Sequence, residues 1–196
     1  MAAIKYVSPM TSLPDGFEFR NPVMQDAKAV TDLLNIRVES DYGAATLRSE
    51  QVRAEWLTPG FHPSFDARLV FDTRGRLVGY VETWTTHHCP EPWVWGCVHP
   101  NYEGRGVGTV LLKWAEVRIM TELYVLEPGV RFAPRTLPSA VRPQVTALYR
   151  NLGWSALAQA AGSLQNGIMS LYQKAVSTNP RKVYEKELRP AQLKAF

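Results

Sequence analysis

The 196-residue sequence predicts a single mixed α/β domain. Segments with the strand period and segments with the helix period follow one another in the order β-α-α-β-β-β-α-β-α-β-β. Apolar residues make up 45% of the chain, enough for one substantial core, and the length favours one domain over two. We expect the domain to occupy residues 17–174, after an N-terminal tail of residues 1–16 and before a charged tail or peripheral helix at residues 175–196.

The first predicted elements are one strand and two helices. Residues 17–23, FEFRNPV, alternate briefly and stop at a proline. Apolar residues then recur every three or four positions from Ala27 to Leu34, which predicts an amphipathic helix. A second helix is predicted to begin at Ser49, a good N-cap residue, and to end before Pro59.

Three strands come next and lead into a helix. Residues 67–71 and 77–84 are joined by the sequence DTRG, whose Asp and Gly suit a tight turn. The third strand covers residues 93–98 and runs directly into the stretch YEGRGVG. The helix period returns from residue 108 to residue 120.

The last predicted elements alternate strand and helix again. VRFAP, residues 130–134, predicts a short strand, and a helix follows with Pro143 in its first turn and Gly153 at its C-terminal end. Two closing strands are predicted at residues 154–159 and 168–174.

The charge pattern limits the classes of partner. The net charge is +4 and the isoelectric point is near 9.1, but 22 basic residues are interleaved with 18 acidic ones. A small polyanion fits this excess, and nucleic acid is not indicated. No apolar run reaches the roughly 18 residues that a membrane span needs, and the N-terminus lacks the apolar core of a secretory signal. We therefore expect a cytoplasmic protein that binds neither nucleic acid nor membrane.

Glycines occupy alternate positions at Gly104, Gly106 and Gly108, directly before a helix. The first N–H groups of a helix have no partner inside it and carry the positive end of the helix dipole, so they attract an anion. Glycines let a phosphate approach the backbone and permit the positive φ angles that turn successive N–H groups inward. The spacing alone fits an ordinary tight connection equally well. It matches neither G-x-G-x-x-G nor G-x-x-x-x-G-K-[ST].

The same stretch resembles the acetyl-CoA signature of the GNAT superfamily of N-acetyltransferases. The match runs through Val98, Pro100 and the three glycines and continues into the helix TVLLKWAE. ALYRNLGW, residues 147–154, is similar to a late segment of the family, and MSLYQK resembles its final strand. The order of elements agrees over residues 17–174.

The resemblance implies a central, twisted, mostly antiparallel sheet with a splayed parallel strand pair and flanking helices. It implies an enzyme that transfers an acetyl group directly from acetyl-CoA to a primary amine of a small molecule or protein. The pyrophosphate would lie on the loop backbone, and the Val98 N–H would polarise the thioester carbonyl. The residues that the resemblance assigns to the coenzyme are Cys97, Val98, Glu103, Gly104, Arg105, Gly106, Val107, Gly108, Thr109 and Tyr149.

Three residues are candidates for proton transfer. Tyr149 matches the family tyrosine that donates a proton or hydrogen bond to the leaving thiolate, because a tyrosine keeps its proton at neutral pH. It also fits a core position on its helix. Glu82 and Glu91 are the carboxylates nearest in sequence to the expected cleft and are candidates for the general base. Neither belongs to a motif, and a solvated carboxylate at a strand end is the simpler interpretation of each.

Two residues depart from the family pattern. Glu103 stands in place of the usual Gln or Arg, and Arg142 stands where many members have Asn. We expect Glu103 to weaken the binding of a phosphate-bearing coenzyme, and Glu103→Gln to tighten it. The departures and the lack of a clear base keep a second hypothesis open, namely a non-catalytic sensor or scaffold of the same fold that binds acyl-CoA.

The remaining features leave the acceptor open. Cys89 and Cys97 are too few for a disulfide framework, and the contiguous H-H-C at residues 87–89 does not have the usual spacing of zinc ligands, so we expect no metal. Exposed aromatic residues in the cleft would favour an aromatic or apolar amine; the candidates are Tyr42, Trp56, Phe61, Trp84, Trp93 and Trp95. The sequence also leaves open whether the basic tail joins a homodimer interface.

Overall fold

The computed structural model describes residues 13–43, 47–85, 91–121, 133–136, 142–156 and 183–188. The strands are β1 Phe17–Arg20, β2 Ala67–Asp72, β3 Leu77–Trp84, β4 Trp93–Val98, β5 Arg135–Thr136, β6 Ser155–Ala156 and β7 Tyr184–Glu185. The helices are α1 Ala27–Tyr42, α2 Ser49–Trp56, α3 Pro63–Asp66, α4 Val107–Met120 and α5 Pro143–Asn151. Two 3₁₀ turns, Met24–Asp26 and Pro100–Tyr102, precede α1 and follow β4.

The strands form one seven-stranded sheet in the order β1-β2-β3-β4-β5-β7-β6. Neighbours are antiparallel except β4 and β5, which are parallel. Among the described residues these two strands pair only where Trp93 faces Arg135, at the beginning of β4. The predicted mixed α/β class, with a mostly antiparallel sheet and one parallel pair, is confirmed.

The core has two parts. Helices α1 and α2 pack their apolar residues against Tyr80 and Trp95 of the sheet in one cluster. Helix α4 packs with Tyr149 of α5 and with Val81 and Val94 of the sheet in the other. The three- and four-residue spacing of apolar side chains on α1 and α4 is what allows each helix to bury one face.

The predicted start of α2 at Ser49 is confirmed, but its capping residue differs from the prediction, and the start of α4 differs by one residue. The N-cap of α2 is Arg48 and not Ser49, because the Arg48 N–H donates to Oε1 of Gln51 at 2.8 Å while Ser49 bonds its neighbour Glu50. Helix α4 begins at Val107, one residue before the predicted start at Gly108.

The end of α5 follows the prediction closely. The Gly153 N–H donates to the Arg150 carbonyl at 2.9 Å, and the Trp154 N–H donates to the Tyr149 carbonyl at 2.9 Å. This is the Schellman arrangement, and the Trp154 ring meets the Tyr149 ring edge-on with centroids 5.5 Å apart. The sequence ALYRNLGW therefore fixes the backbone around Tyr149.

The C-terminal part of the sheet differs from the sequence prediction. Tyr184–Glu185 forms β7, between β5 and β6, in a segment that was predicted as a charged tail or peripheral helix. The strand predicted at VRFAP lies at Arg135–Thr136, and the predicted strand at residues 168–174 lies outside the described residues. Lys186 binds the buried Glu116 of α4 at 2.9 Å, which attaches the β7 segment to the core.

In the described part of the chain, no helix has both the length and the apolar character that crossing a membrane requires.

Candidate functional site

A cleft of about 400 Å³ lies between β4, the glycine loop, α4 and α5. It also receives Arg37 of α1, Tyr80 of β3 and Gln144 of α5. Most of the residues predicted to hold a coenzyme line it, namely Cys97, Val98, Glu103, Gly104, Gly106, Gly108, Thr109 and Tyr149.

Strand β4 directs every second peptide group away from β3, and beyond its pairing with β5 at Trp93 these groups lie on the side of the cleft. The His99 N–H donates to the Val78 carbonyl at 2.8 Å, so the odd-numbered residues of β4 bond β3. Antiparallel pairing alternates the direction of successive peptide groups, so the N–H and C=O of Val98, Gly96 and Val94 point away from β3. The resemblance implied that the Val98 N–H polarises the thioester carbonyl, and this geometry leaves that N–H without a partner in β3.

Cys97 has the opposite orientation. Its peptide group bonds β3 opposite Tyr80, and burial raises the pKa of its thiol to about 12. The thiol is therefore neutral, and it is unsuited to nucleophilic attack or metal binding.

The glycine loop presents unpaired donors at the start of α4. Gly104 and Gly106 have φ angles of +73° and +83°, a left-handed conformation that favours glycine. The first intrahelical bond of α4 runs from the Val110 N–H to the Gly106 carbonyl at 3.1 Å, so earlier N–H groups have no helical acceptor. Such a run of N–H groups at the positive end of a helix is a binding site for an anion.

Gly108 lets α5 approach the loop. A Cβ atom at this position would lie 3.2 Å from Cδ2 of Leu148, closer than ordinary van der Waals contact. The glycine thus brings α5, and Tyr149 with it, against the helix start.

Two predicted coenzyme residues do not line the cleft with their side chains. The Arg105 guanidinium lies over the Tyr102 ring, 4.9 Å from its centroid, and the Val107 side chain is fully buried in the core. Each can contribute to the loop only through its backbone N–H.

Glu103 is paired with two arginines. Arg37 donates through Nη1 to Oε1 of Glu103, and Arg142 donates through Nη1 to Oε2 at 3.4 Å. Both arginines also bind the buried Asp41, at 3.2 and 2.6 Å. Burial alone would raise the pKa of Glu103, but hydrogen bonds from Arg37 and Gln144 and the two positive charges hold it below its usual value. The two departures from the family pattern, Glu103 and Arg142, are thus bound to each other.

Tyr149 is buried beside the cleft, with 8% of its surface exposed. The Thr136 hydroxyl donates to the Tyr149 oxygen at 3.2 Å, which leaves the tyrosine hydrogen available to another acceptor. Burial raises the pKa of Tyr149 above its usual value, more than the Thr136 hydrogen bond lowers it. The phenol therefore carries its proton at neutral pH and can act as a donor.

Neither predicted base lines the cleft. Glu82 is fully buried and accepts a hydrogen bond from the Tyr80 hydroxyl at 2.6 Å, and Tyr80 accepts one from Nε1 of Trp56 at 3.1 Å. Glu91 forms an ion pair with Arg135 at 2.5 Å and is 41% exposed. Of the two, Glu82 is the one whose partner, Tyr80, lines the cleft.

The sequence analysis missed Arg37 as a cleft residue. A signal was present, because Arg37 and Asp41 follow Val30, Leu33 and Leu34 on the apolar face of α1, where charged side chains are uncommon. The partners of Arg37 could not be inferred, because Glu103 lies 66 residues away.

The described residues contain no group of three or more His, Cys, Asp and Glu side chains placed to hold a metal ion. Residues 87–89, the contiguous H-H-C, lie outside the described ranges. His99 uses Nδ1 to accept a hydrogen bond from the Asn101 N–H at 3.2 Å.

The aromatic residues near the cleft divide into two groups. Trp56 and Phe61 are buried in the core, and Trp95 is also buried but contributes to the cleft lining. Trp84 and Trp93 are half-buried, and the Trp84 ring stacks on Phe61 with centroids 4.6 Å apart.

These features together define the class of protein. A mostly antiparallel sheet whose one parallel pair opens beside a cleft, a glycine loop at a helix start and a tyrosine on the following helix make up the GNAT acetyltransferase fold. The family model for the acetyltransferase (GNAT) domain matches residues 66–156, which run from the end of α3 to the end of β6. Residues 66–156, a little under half of the chain, thus match a GNAT acetyltransferase domain.

Solved structures show the same fold. A GCN5-related N-acetyltransferase from Sphaerobacter thermophilus is 26% identical, with a TM-score of 0.68, over 74% of this chain and 45% of its own. This chain therefore spans less than half the length of that relative.

Two further structures are similar over most of both chains. A GNAT superfamily phosphinothricin acetyltransferase from Sinorhizobium meliloti, in complex with AcCoA, is 16% identical with a TM-score of 0.58 over 88% of this chain and 89% of its own. The PaiA N-acetyltransferase from Thermoplasma acidophilum, in complex with coenzyme A, is 14% identical with a TM-score of 0.55 over 88% and 99%. At these identities the similarity establishes the fold. No curated protein matches the chain in sequence.

Proposed function

We propose that this protein is an acetyl-CoA-dependent N-acetyltransferase that moves an acetyl group directly to a primary amine of a small molecule or protein. The observation that carries the proposal is the cleft, where free peptide groups of β4, a glycine loop at a helix start and a protonated tyrosine face one space. The relatives bound to AcCoA and coenzyme A share this fold and support the choice of coenzyme.

The loop is the proposed site of the pyrophosphate. The backbone N–H groups of residues 104–109 offer donors without a charged side chain, whereas the Glu103 N–H already donates to the Pro100 carbonyl at 3.3 Å. The dipole of α4 adds a partial positive charge at the same place. The left-handed Gly104 supports this role, because no described atom lies within 4 Å of the position of a Cβ there, which leaves the loop surface open to a phosphate oxygen.

Strand β4 is the proposed site of the pantetheine arm and the thioester. Peptide groups that have no strand partner can pair with the amides of pantetheine. The Val98 N–H would donate to the carbonyl oxygen of the thioester and stabilise the negative charge that develops there when an amine attacks.

Tyr149 is the proposed acid. Attack forms a bond between the amine nitrogen and the acetyl carbon, the carbon–sulfur bond breaks, and the electron pair leaves on sulfur. The Tyr149 hydroxyl would donate a hydrogen bond or its proton to that thiolate, and solvent would return the proton. Its raised pKa and its unused hydrogen support this role.

The amine must lose a proton before it attacks. We retain Glu82 as the proposed base, with Tyr80 as the link between the cleft and its carboxylate. Glu91 stays a second candidate, although it is held in an ion pair with Arg135. Of the six aromatic candidates, Trp95 alone is among the described residues that line the cleft, and it is buried, so the aromatic residues do not favour one class of amine.

Release of the coenzyme A thiol tests the proposal. The full chain would be incubated with acetyl-CoA and a panel of aromatic, aliphatic and peptide amines, and the free thiol would be measured. We expect thiol release that depends on the amine and that is matched by acetylated product. Hydrolysis without an amine serves as the background.

The structure gives the sensor hypothesis one specific support, because neither candidate base lines the cleft. A protein that only senses acyl-CoA would bind acetyl-CoA and release no thiol above background with any amine. The same assay therefore separates the two functions.

A further inference from the structure

Arg37 is a buried cation in the wall of the coenzyme cleft. Its side chain is 5% exposed, and it lies on α1, outside the elements that carry the family signature. Burying a guanidinium is unfavourable unless carboxylates and other acceptors surround it. Its partners therefore indicate what it holds in place.

The contacts of Arg37 span the connection between β4 and the glycine loop. Nε donates to Oδ2 of Asp41 at 3.2 Å, which fixes the guanidinium on α1. Nη1 donates to the Val98 carbonyl at 3.3 Å and also to Oε1 of Glu103. Val98 ends the strand and Glu103 follows the 3₁₀ turn Pro100–Tyr102, so one planar group holds both ends of this turn.

The second oxygen of Glu103 is also engaged. It accepts from Nη1 of Arg142 at 3.4 Å and from Nε2 of Gln144 at 3.3 Å, both on the N-terminal side of α5. The local charges of Arg37, Arg142, Asp41 and Glu103 balance. Glu103 therefore connects α1, the loop and α5, and its charge is neutralised within the protein.

We propose that Arg37 is a positioning residue that sets the shape of the acetyl-CoA loop through Glu103 and the Val98 carbonyl. The proposal rests on the coenzyme binding proposed above. It also reverses the effect that the sequence suggested for Glu103, because a carboxylate that holds the loop strengthens binding where an unpaired one would weaken it.

Substitutions separate positioning from charge. Arg37→Lys keeps the positive charge but replaces the planar group with one ammonium, which cannot repeat the three contacts. Glu103→Ala removes a negative charge near the phosphates, so electrostatics alone would tighten coenzyme binding. If Glu103 positions the loop, Glu103→Ala should instead weaken coenzyme binding.

The experiment is a calorimetric titration of coenzyme A into the full chain and into Arg37→Lys, Glu103→Ala and the double variant. We expect each single substitution to weaken binding by about tenfold and the double variant to bind about as weakly as either single one. The control is Arg118→Lys, which alters another buried pair, Arg118 with Asp66 at 2.6 Å, away from the cleft. It should lower thermal stability and leave affinity unchanged.

Three results would overturn the inference. Unchanged affinity in Arg37→Lys would mean that Arg37 contributes only its positive charge. Tighter binding by Glu103→Ala would mean that the carboxylate repels the coenzyme. Effects that multiply in the double variant would mean that Arg37 does not act through Glu103. If Arg37→Lys does not fold, the affinity of Glu103→Ala for coenzyme A tests the inference: weaker binding supports it and tighter binding overturns it. Failure of the unaltered chain to bind coenzyme A would overturn the proposed function as well.

Discussion

Tyr149 is the residue for which sequence, local structure and chemistry agree best. The Schellman turn fixes its backbone, Thr136 donates to its oxygen, and burial keeps it protonated. Its phenol has one hydrogen left to give, and Tyr149 lines the cleft.

We therefore predict that Tyr149→Phe lowers kcat by about tenfold to a hundredfold, because a general acid contributes at least this much, and changes coenzyme affinity less than about twofold. The matched control is Tyr184→Phe, a buried neighbour whose ring centroid lies 6.4 Å from that of Tyr149. Its kcat should not change. An equal loss of rate in both variants would point to packing instead of proton donation.

The pH profile gives a second check on the same residue. The pKa of Tyr149 is raised by burial, so deprotonation of the phenol should reduce kcat only above its ordinary pKa of about 10. A tyrosine-dependent decline in kcat between pH 7 and 9, absent in Tyr149→Phe, would contradict this assignment.

At the scale of elements, the glycine loop owes its shape to backbone conformation. Gly104 has φ +73° and Gly75, in the turn between β2 and β3, has φ +72°. No described atom lies within 4 Å of the position of a Cβ at either glycine. An L-residue at either position would therefore meet the same backbone strain without a steric clash.

We predict that Gly104→Ala and Gly75→Ala each lower the free energy of unfolding by about 1–2 kcal/mol, because an L-residue resists this conformation. Only Gly104→Ala should weaken coenzyme A binding, by up to about tenfold, since its loop must adopt the strained conformation to bind. Denaturant unfolding and calorimetry measure the two effects. Similar affinities for the two variants would place the anion elsewhere.

The elements that the sequence predicted well carry strong local signals. The β2–β3 hairpin has DTRG, with the Asp72 side chain accepting from the N–H groups of Arg74 and Arg76, and β4 has an apolar run before the glycines. Strands β5 and β7 have only two residues each, too few for a period, and depend on partners distant in sequence.

The same distinction applies to the site: residues in local motifs were predicted, and contacts between distant elements were not. Val98, the glycines and Tyr149 belong to motifs that can be read along the chain, and all of them line the cleft. The pairing of Glu103 with Arg37 and Arg142 depends on contacts between three elements, which no local pattern contains. Glu82 fits a strand pattern, but the pattern cannot distinguish a buried carboxylate from one that faces a ligand.

At the scale of the whole molecule, the β7 segment joins the central sheet and contacts the core. Lys186 binds both oxygens of Glu116 at 2.9 and 3.0 Å, and Nε1 of Trp154 binds Oε1 at 2.7 Å. Glu116 is almost fully buried on α4. We propose that the domain extends beyond residue 174 to include this segment.

Lys186→Met should lower the free energy of unfolding by about 3 kcal/mol, because it leaves a buried carboxylate without its cation. Adding Glu116→Gln should restore much of this loss. The control is Lys28→Met, which breaks the exposed pair of Lys28 with Asp32 and should change stability by less than about 0.5 kcal/mol. Denaturant unfolding of the four proteins measures these differences, and an unchanged Lys186→Met variant would mean that the segment is not docked.

The central claim is that the glycine loop and β4 form an acetyl-CoA site. Calorimetric titration with acetyl-CoA and, separately, with S-acetylpantetheine, which lacks the nucleotide and pyrophosphate, tests it most directly. We predict one site per chain for acetyl-CoA and binding at least about a hundredfold weaker for S-acetylpantetheine, because the loop donors and helix dipole act on the phosphates. Equal affinity for the two compounds, or no binding of acetyl-CoA, would contradict the claim.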